Sequence, residues 1–115
     1  MVKYKNTIHY QGETNMEEMT ILITNEAKRE LDKLLANSDK TCVRILTRCI
    51  TMTSDAKVDL ELDEPTPDDN LYDVDGYKVI INKVLDSQMN YITISYGGLL
   101  SRDSFSVDAD FNFYY

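Results

Sequence analysis

Most of this chain after Thr41 alternates between polar and apolar residues, and that two-residue period limits the fold more than any other feature. From Thr41 to Cys49, Val43, Ile45, Thr47 and Cys49 point one way while Arg44, Leu46 and Arg48 point the other, as successive side chains of a strand must. Lys57 to Leu62 repeats the pattern, turning Val58, Leu60 and Leu62 inward and Lys57, Asp59 and Glu61 outward. With Ile50 to Ala56 as the connection, the two runs read as antiparallel neighbours in which Arg44 and Arg48 face Asp59 and Glu61.

Punctuation divides the remainder. Glu64-Pro65-Thr66-Pro67-Asp68-Asp69 has to be a loop, because each proline removes a donor and pushes its predecessor out of helical geometry. Leu71 to Val74, Asp75-Gly76 and Tyr77 to Ile81 form a hairpin signal. Lys83 to Met89 reads as a short helix, Tyr91 to Tyr96 as a strand with Ile92 and Ile94 inward, and Gly97-Gly98 as a turn. From Ser104 the alternation runs unbroken through Phe105, Val107, Ala109, Phe111, Phe113 and Tyr115, which predicts a strand packing its aromatic face on the domain's own sheet or on a second copy.

One stretch has a helical period instead. After a short strand at Thr20 to Ile23, Thr24 or Asn25 can cap a helix whose stripe is Ala27, Leu31, Leu34 and Leu35, ending around Asn37 to Asp39. Met1 to Glu18 is polar, lacks a clear period and reads as an extension, which leaves residues 19–115 as the domain. The expected class is therefore α+β, mostly β, with one main amphipathic helix near the N-terminus and mixed or antiparallel sheets.

The 115 residues suit one core, since two domains of half that size would bury too little. A formal net charge of -8 argues against nucleic acid and against anionic membranes, which need clustered Lys and Arg. No apolar run approaches a membrane span and no apolar segment follows the N-terminal lysines, so the expected location is cytoplasmic. The two cysteines, Cys42 and Cys49, sit seven residues apart on one expected strand, about 23 Å at its usual rise, too far for a disulfide.

The strings "ITNEAKRELDKLL", "VRILTR", "VDLELDEPTPDDNLYDVDGYKVIIN" and "SFSVDAD", in that order, resemble the HesB-like domain of the A-type (IscA-like) iron–sulfur carriers, over roughly Met19 to Asp110. The resemblance implies the HesB-like fold and a connection with iron–sulfur cluster biogenesis. It also marks three thiolate positions: a cysteine before Ser-Gly ahead of the Leu-Glu-Leu-Asp strand, and a Cys-Gly-Cys near the C-terminus. Thiolates suit iron because they are soft, strongly donating ligands. Here the first position falls at or near Thr53, followed by Ser54-Asp55, and Asp108-Ala109-Asp110-Phe111 stands where the family often has Asn-Pro-Asn. The chain then ends at Tyr115 without the Cys-Gly-Cys. The expectation is accordingly a non-catalytic, acidic interaction protein related to cluster biogenesis, with no metal or cofactor and an unidentified protein partner. A homodimer is compatible with it. The alternative is an iron or iron–sulfur binder in which Cys49 from two chains, helped by Asp55 or another carboxylate, supplies the ligands. The ordinary fate of such a free cysteine is a small buried apolar side chain.

Other constellations give less. His9 is the only histidine and lies in the extension, without ligand spacing around it. Asp73-Val74-Asp75-Gly76 fails as a calcium loop, because Leu71 and Asn82 stand where an oxygen ligand and a glutamate would be needed. No Ser-His or Cys-His pair and no phosphate-cradling glycine loop occurs, so enzymatic activity is not expected. Arg44 and Arg48 could hold an anion, but cross-strand pairing with Asp59 and Glu61 is the simpler reading.

Overall fold

The computed structural model describes the backbone of residues 2–5, 18–49, 56–98 and 103–110, and the side chains of 19–48, 57–98 and 103–110. Two four-stranded mixed sheets share one core. The first contains β1 (Val2–Lys5), β2 (Glu18–Ile23), β7 (Tyr91–Tyr96) and β8 (Phe105–Ala109), in the order β1-β2-β7-β8. The second contains β3 (Cys42–Cys49), β4 (Ala56–Asp63), β5 (Asp69–Val74) and β6 (Tyr77–Asn82), in the order β4-β3-β6-β5.

The sheets follow one plan. Each has an antiparallel pair on either side of a central parallel pair, β2 with β7 in one and β3 with β6 in the other. Ile21, Ile23, Ile92 and Ile94 of the first sheet meet Val43, Ile45, Val79 and Ile81 of the second, and all are buried. β-branched residues dominate because their stiff side chains pack well on a pleated surface.

The helix α1 (Asn25–Ala36) starts at Thr24, whose hydroxyl accepts the Ala27 amide at 3.2 Å and satisfies one of the donors left open at a helix start. Ala27 and Leu31 are fully buried and Leu35 half-buried, but Leu34 is 42% exposed. The expected stripe is thus narrower than its spacing suggested. Leu34 lies on the shoulder of the helix, where it borders a surface cleft rather than the core.

Asp75 and Gly76 take φ of 54° and 90°, both positive as a two-residue hairpin turn requires, and Asp75 also pairs with Lys28 at 3.0 Å. The predicted helix over Lys83 to Met89 contracts to the single turn α2 (Lys83–Asp86), capped by the Asn82 side chain. Val2–Lys5, where the sequence shows no clear period, pairs with β2. β8 ends at Ala109, and the predicted continuation through Phe111, Phe113 and Tyr115 lies outside the described residues. Among the described residues no helix is long and apolar enough to cross a membrane.

Candidate functional site

The outer face of the second sheet gathers the charged residues that the sequence singled out. β3 and β4 pair in the expected antiparallel sense, with Arg44 opposite Glu61, Leu46 opposite Asp59 and Arg48 opposite Lys57. Arg48 reaches diagonally to both expected acids, Asp59 at 2.8 Å and Glu61 at 3.1 Å. Arg44 does not. It turns the other way, donating to Asp63 at 2.6 Å, to both oxygens of Asp69 at 2.7 and 2.8 Å, and to the Glu64 carbonyl at 3.2 Å.

The reason is topological. β6 lies parallel beside β3 and carries β5 beyond it, so the start of β5 and the loop before it come within reach of a guanidinium at the middle of the sheet. Asp69 is 2% exposed at its side chain and also accepts from the Thr66 amide and hydroxyl, at 2.8 and 3.1 Å. One arginine therefore ties β3, β4, the proline loop and β5 together through a planar fork suited to carboxylates. Its bonds hold the Asp69 and Asp63 carboxyls below the usual carboxylate range and raise the arginine's own pKa, chiefly through Asp69. Both arginines are committed to carboxylates, so this face carries a structural ion-pair network.

A second polar cluster carries no signal in the sequence. The Asp86 carboxylate, at the end of α2, accepts the Tyr72 hydroxyl at 2.5 Å and the Asn70 amide at 2.8 Å, and all three residues are buried. Burial raises the Tyr72 pKa above its ordinary value, with Asp86 adding to the effect. These bonds pin the one-turn helix to β5. Asn70 and Tyr72 come from alternate positions of β5, and nothing in sequence spacing pairs them with Asp86.

The thiols are separated. Cys42 is 1% exposed at the start of β3, its sulfur 3.6 Å from the Thr41 hydroxyl. Cys49 ends β3 opposite Ala56, and its side chain lies outside the described set. Thr53, Ser54, Asp55 and His9 also lie outside the described residues. Among the described residues, no three His, Cys, Asp or Glu side chains are grouped so as to hold a metal ion. Of the residues considered above for calcium, Asp73 lies near the end of β5 and Asp75 in the hairpin turn itself.

Two concavities remain. A cleft of about 430 Å³ lies among α1, β4, β7 and β8, lined by the apolar and aromatic Leu34, Leu60, Tyr96 and Phe105 and by charged residues of both signs, Lys57 as well as Asp59. Tyr96 and Phe105 meet edge to face, ring centres 4.9 Å apart. A groove of about 360 Å³ runs beside β3, lined by Leu46, Thr47, Val84, Leu85 and Gln88 among others.

The architecture matches solved structures. SufA from Escherichia coli, described as involved in biosynthesis of iron–sulfur clusters, superposes with a TM-score of 0.63 at 18% identity over 77% of this chain and 79% of its own. IscA, solved with a [2Fe-2S] cluster, superposes with a TM-score of 0.64 at 22% identity over 78% of this chain and 85% of its own. The HesB-like fold expected from the sequence is therefore the fold found. No family model matches the sequence, and no curated protein does.

Proposed function

We propose that this chain is a non-catalytic protein with a HesB-like fold that has kept the scaffold of the iron–sulfur carriers for protein contact and lost the ligands. The thiol count supports this reading best. The chain has two cysteines, and one of them, Cys42, is sealed in the sheet by packing at 1% exposure. Residues 1–115 therefore offer a single further thiol, against the three thiolates that the resemblance assigns to a carrier. Carboxylates near the second sheet do not make up the shortfall, because Asp63 and Asp69 are already bonded to Arg44 and Asp59 to Arg48.

The second reading keeps a metal role, with Cys49 of two chains and carboxylates such as Asp55 completing a shared site. What favours it is the place of Cys49, at the end of β3, four residues before the position where the family's first cysteine falls. Anaerobic reconstitution with iron and sulfide separates the two readings. The first expects no stable cluster absorption after desalting. A chromophore that persists in the wild type and vanishes in Cys49→Ser would overturn it.

A further inference from the structure

Asp75-Gly76 is the only Asp-Gly pair in the sequence, and the sequence has no Asn-Gly pair. The β5–β6 ladder closes at Val74 opposite Tyr77, so these two residues make up the whole turn and the Gly76 amide belongs to the turn rather than to the ladder. Both residues are exposed, and both hold positive φ. Glycine brings no side chain to shield its own amide, and a Cβ placed on Gly76 would meet nothing within 4 Å. A carboxyl carbon two bonds along the side chain from an unshielded backbone nitrogen is the arrangement that closes a five-membered imide ring.

That chemistry needs only the chain and water. The Gly76 nitrogen forms a bond to Cγ of Asp75, and the hydroxyl of the carboxyl leaves with the amide proton as water. Water then reopens the imide at one of its two carbonyls. Attack at Cγ restores the aspartate. Attack at the main-chain carbonyl breaks its bond to the Gly76 nitrogen and leaves that nitrogen on Cγ, which is an isoaspartyl residue of unchanged mass.

A clamp from α1 opposes the first step. The Lys28 ammonium holds the Asp75 carboxylate at 3.0 Å, and on the other side of Gly76 the Tyr77 hydroxyl lies 2.6 Å from Asp32 and 3.2 Å from the Lys28 carbonyl. Cyclisation requires the carboxyl to lie over the Gly76 amide, so it competes with the contact to Lys28. We propose that Asp75 is a site of spontaneous isoaspartate formation and that Lys28 is a positioning residue that slows it by keeping the carboxyl on α1. The product routes the main chain through Cβ and Cγ, which adds an atom to a turn that has room for two ordinary residues, and it moves the free carboxylate away from Lys28.

The full chain, aged at neutral pH and then digested, tests this by mass spectrometry with electron-based fragmentation, which separates isoaspartate from aspartate, and by labelling with a purified isoaspartyl methyltransferase. Isoaspartate at 75 is expected to accumulate about two- to fivefold faster in Lys28→Ala than in the wild type, the factor that an exposed ion pair supplies. Lys28→Arg, which keeps the charge at the same place, is expected to return the rate to near the wild-type value, and ageing in urea sets the upper limit for a chain without the clamp. Equal rates in the wild type and Lys28→Ala overturn the role of Lys28. A level at 75 no higher than at Asp86-Ser87 and Asp103-Ser104 in the same Lys28→Ala sample overturns the site itself.

Discussion

Replacing Arg44 by methionine keeps most of the side chain's volume and removes a guanidinium that makes four hydrogen bonds. Its side chain is 15% exposed and its partner Asp69 2% exposed, so the substitution leaves a buried carboxylate with only the Thr66 amide and hydroxyl for company. Breaking one half of a buried ion pair costs about 3–5 kcal/mol, and the residual exposure of Arg44 puts the expected loss near the lower end, about 3 kcal/mol. With a urea dependence of about 1.5 kcal/mol per molar, the unfolding midpoint should fall by about 2 M. Arg44→Lys should lie between wild type and Arg44→Met, since it keeps the charge and loses the fork. Adding Asp69→Asn to Arg44→Met should recover part of the loss, because the amide is cheaper to bury unpaired than the carboxylate. The pH dependence has a definite sign. The folded-state pKa of Asp69 is depressed, so its pairing contributes stability above the ordinary carboxylate pKa of about 4 and loses that contribution as pH falls through the lower folded value. Arg44→Met should lack this acid-side loss. A midpoint shift of less than about 0.3 M would refute the view that the network is buried and structural.

Within α1, Leu31→Ala should cost about 2–5 kcal/mol in urea melts, because Leu31 is fully buried, whereas Leu34→Ala should cost under about 1 kcal/mol, because Leu34 borders a cleft; equal losses would show that the helix is rotated. The Tyr77 hydroxyl donates to Asp32 at 2.6 Å and its pKa is pushed up to about 12, mainly by burial and then by Asp32. A raised folded value means stability that is complete below pH of about 10 and declines as pH rises through about 12. Alkaline melts of Tyr77→Phe should therefore be flatter over that window than those of the wild type, and parallel curves would contradict the assignment.

The sequence carried the fold wherever structure depends on local rules. Alternation located β3, β4 and β7, the Asp75-Gly76 pair located the hairpin, and Thr24 located the helix start, because each depends on side-chain direction or backbone conformation within a few residues. It failed where partners come from distant elements. Arg44 was matched to the neighbouring strand, but the parallel β3–β6 pairing brings Asp69 to it from 25 residues away. Tyr72 fell inside the expected hairpin strand and Asn70 just before it, and their bonds to Asp86 depend on where α2 lands. Leu34 fitted the helical stripe by spacing alone, although the width of a buried stripe is set by what packs against the helix. For the candidate site, the pairing of Arg48 with Asp59 and Glu61 was legible in the alternation of two neighbouring strands; the sealing of Cys42 and the Asn70, Tyr72 and Asp86 cluster were not, because both depend on how distant elements pack.

On the proposed function, this chain shares its fold with SufA and IscA and holds no iron of its own. Iron and acid-labile sulfide measured per chain, in protein isolated and kept strictly anaerobic, test it most directly. Far less than one iron per chain is expected, with the same trace level in Cys49→Ser. About one iron and one sulfide per chain, as two chains sharing a two-iron cluster would give, and their loss in Cys49→Ser, would contradict it.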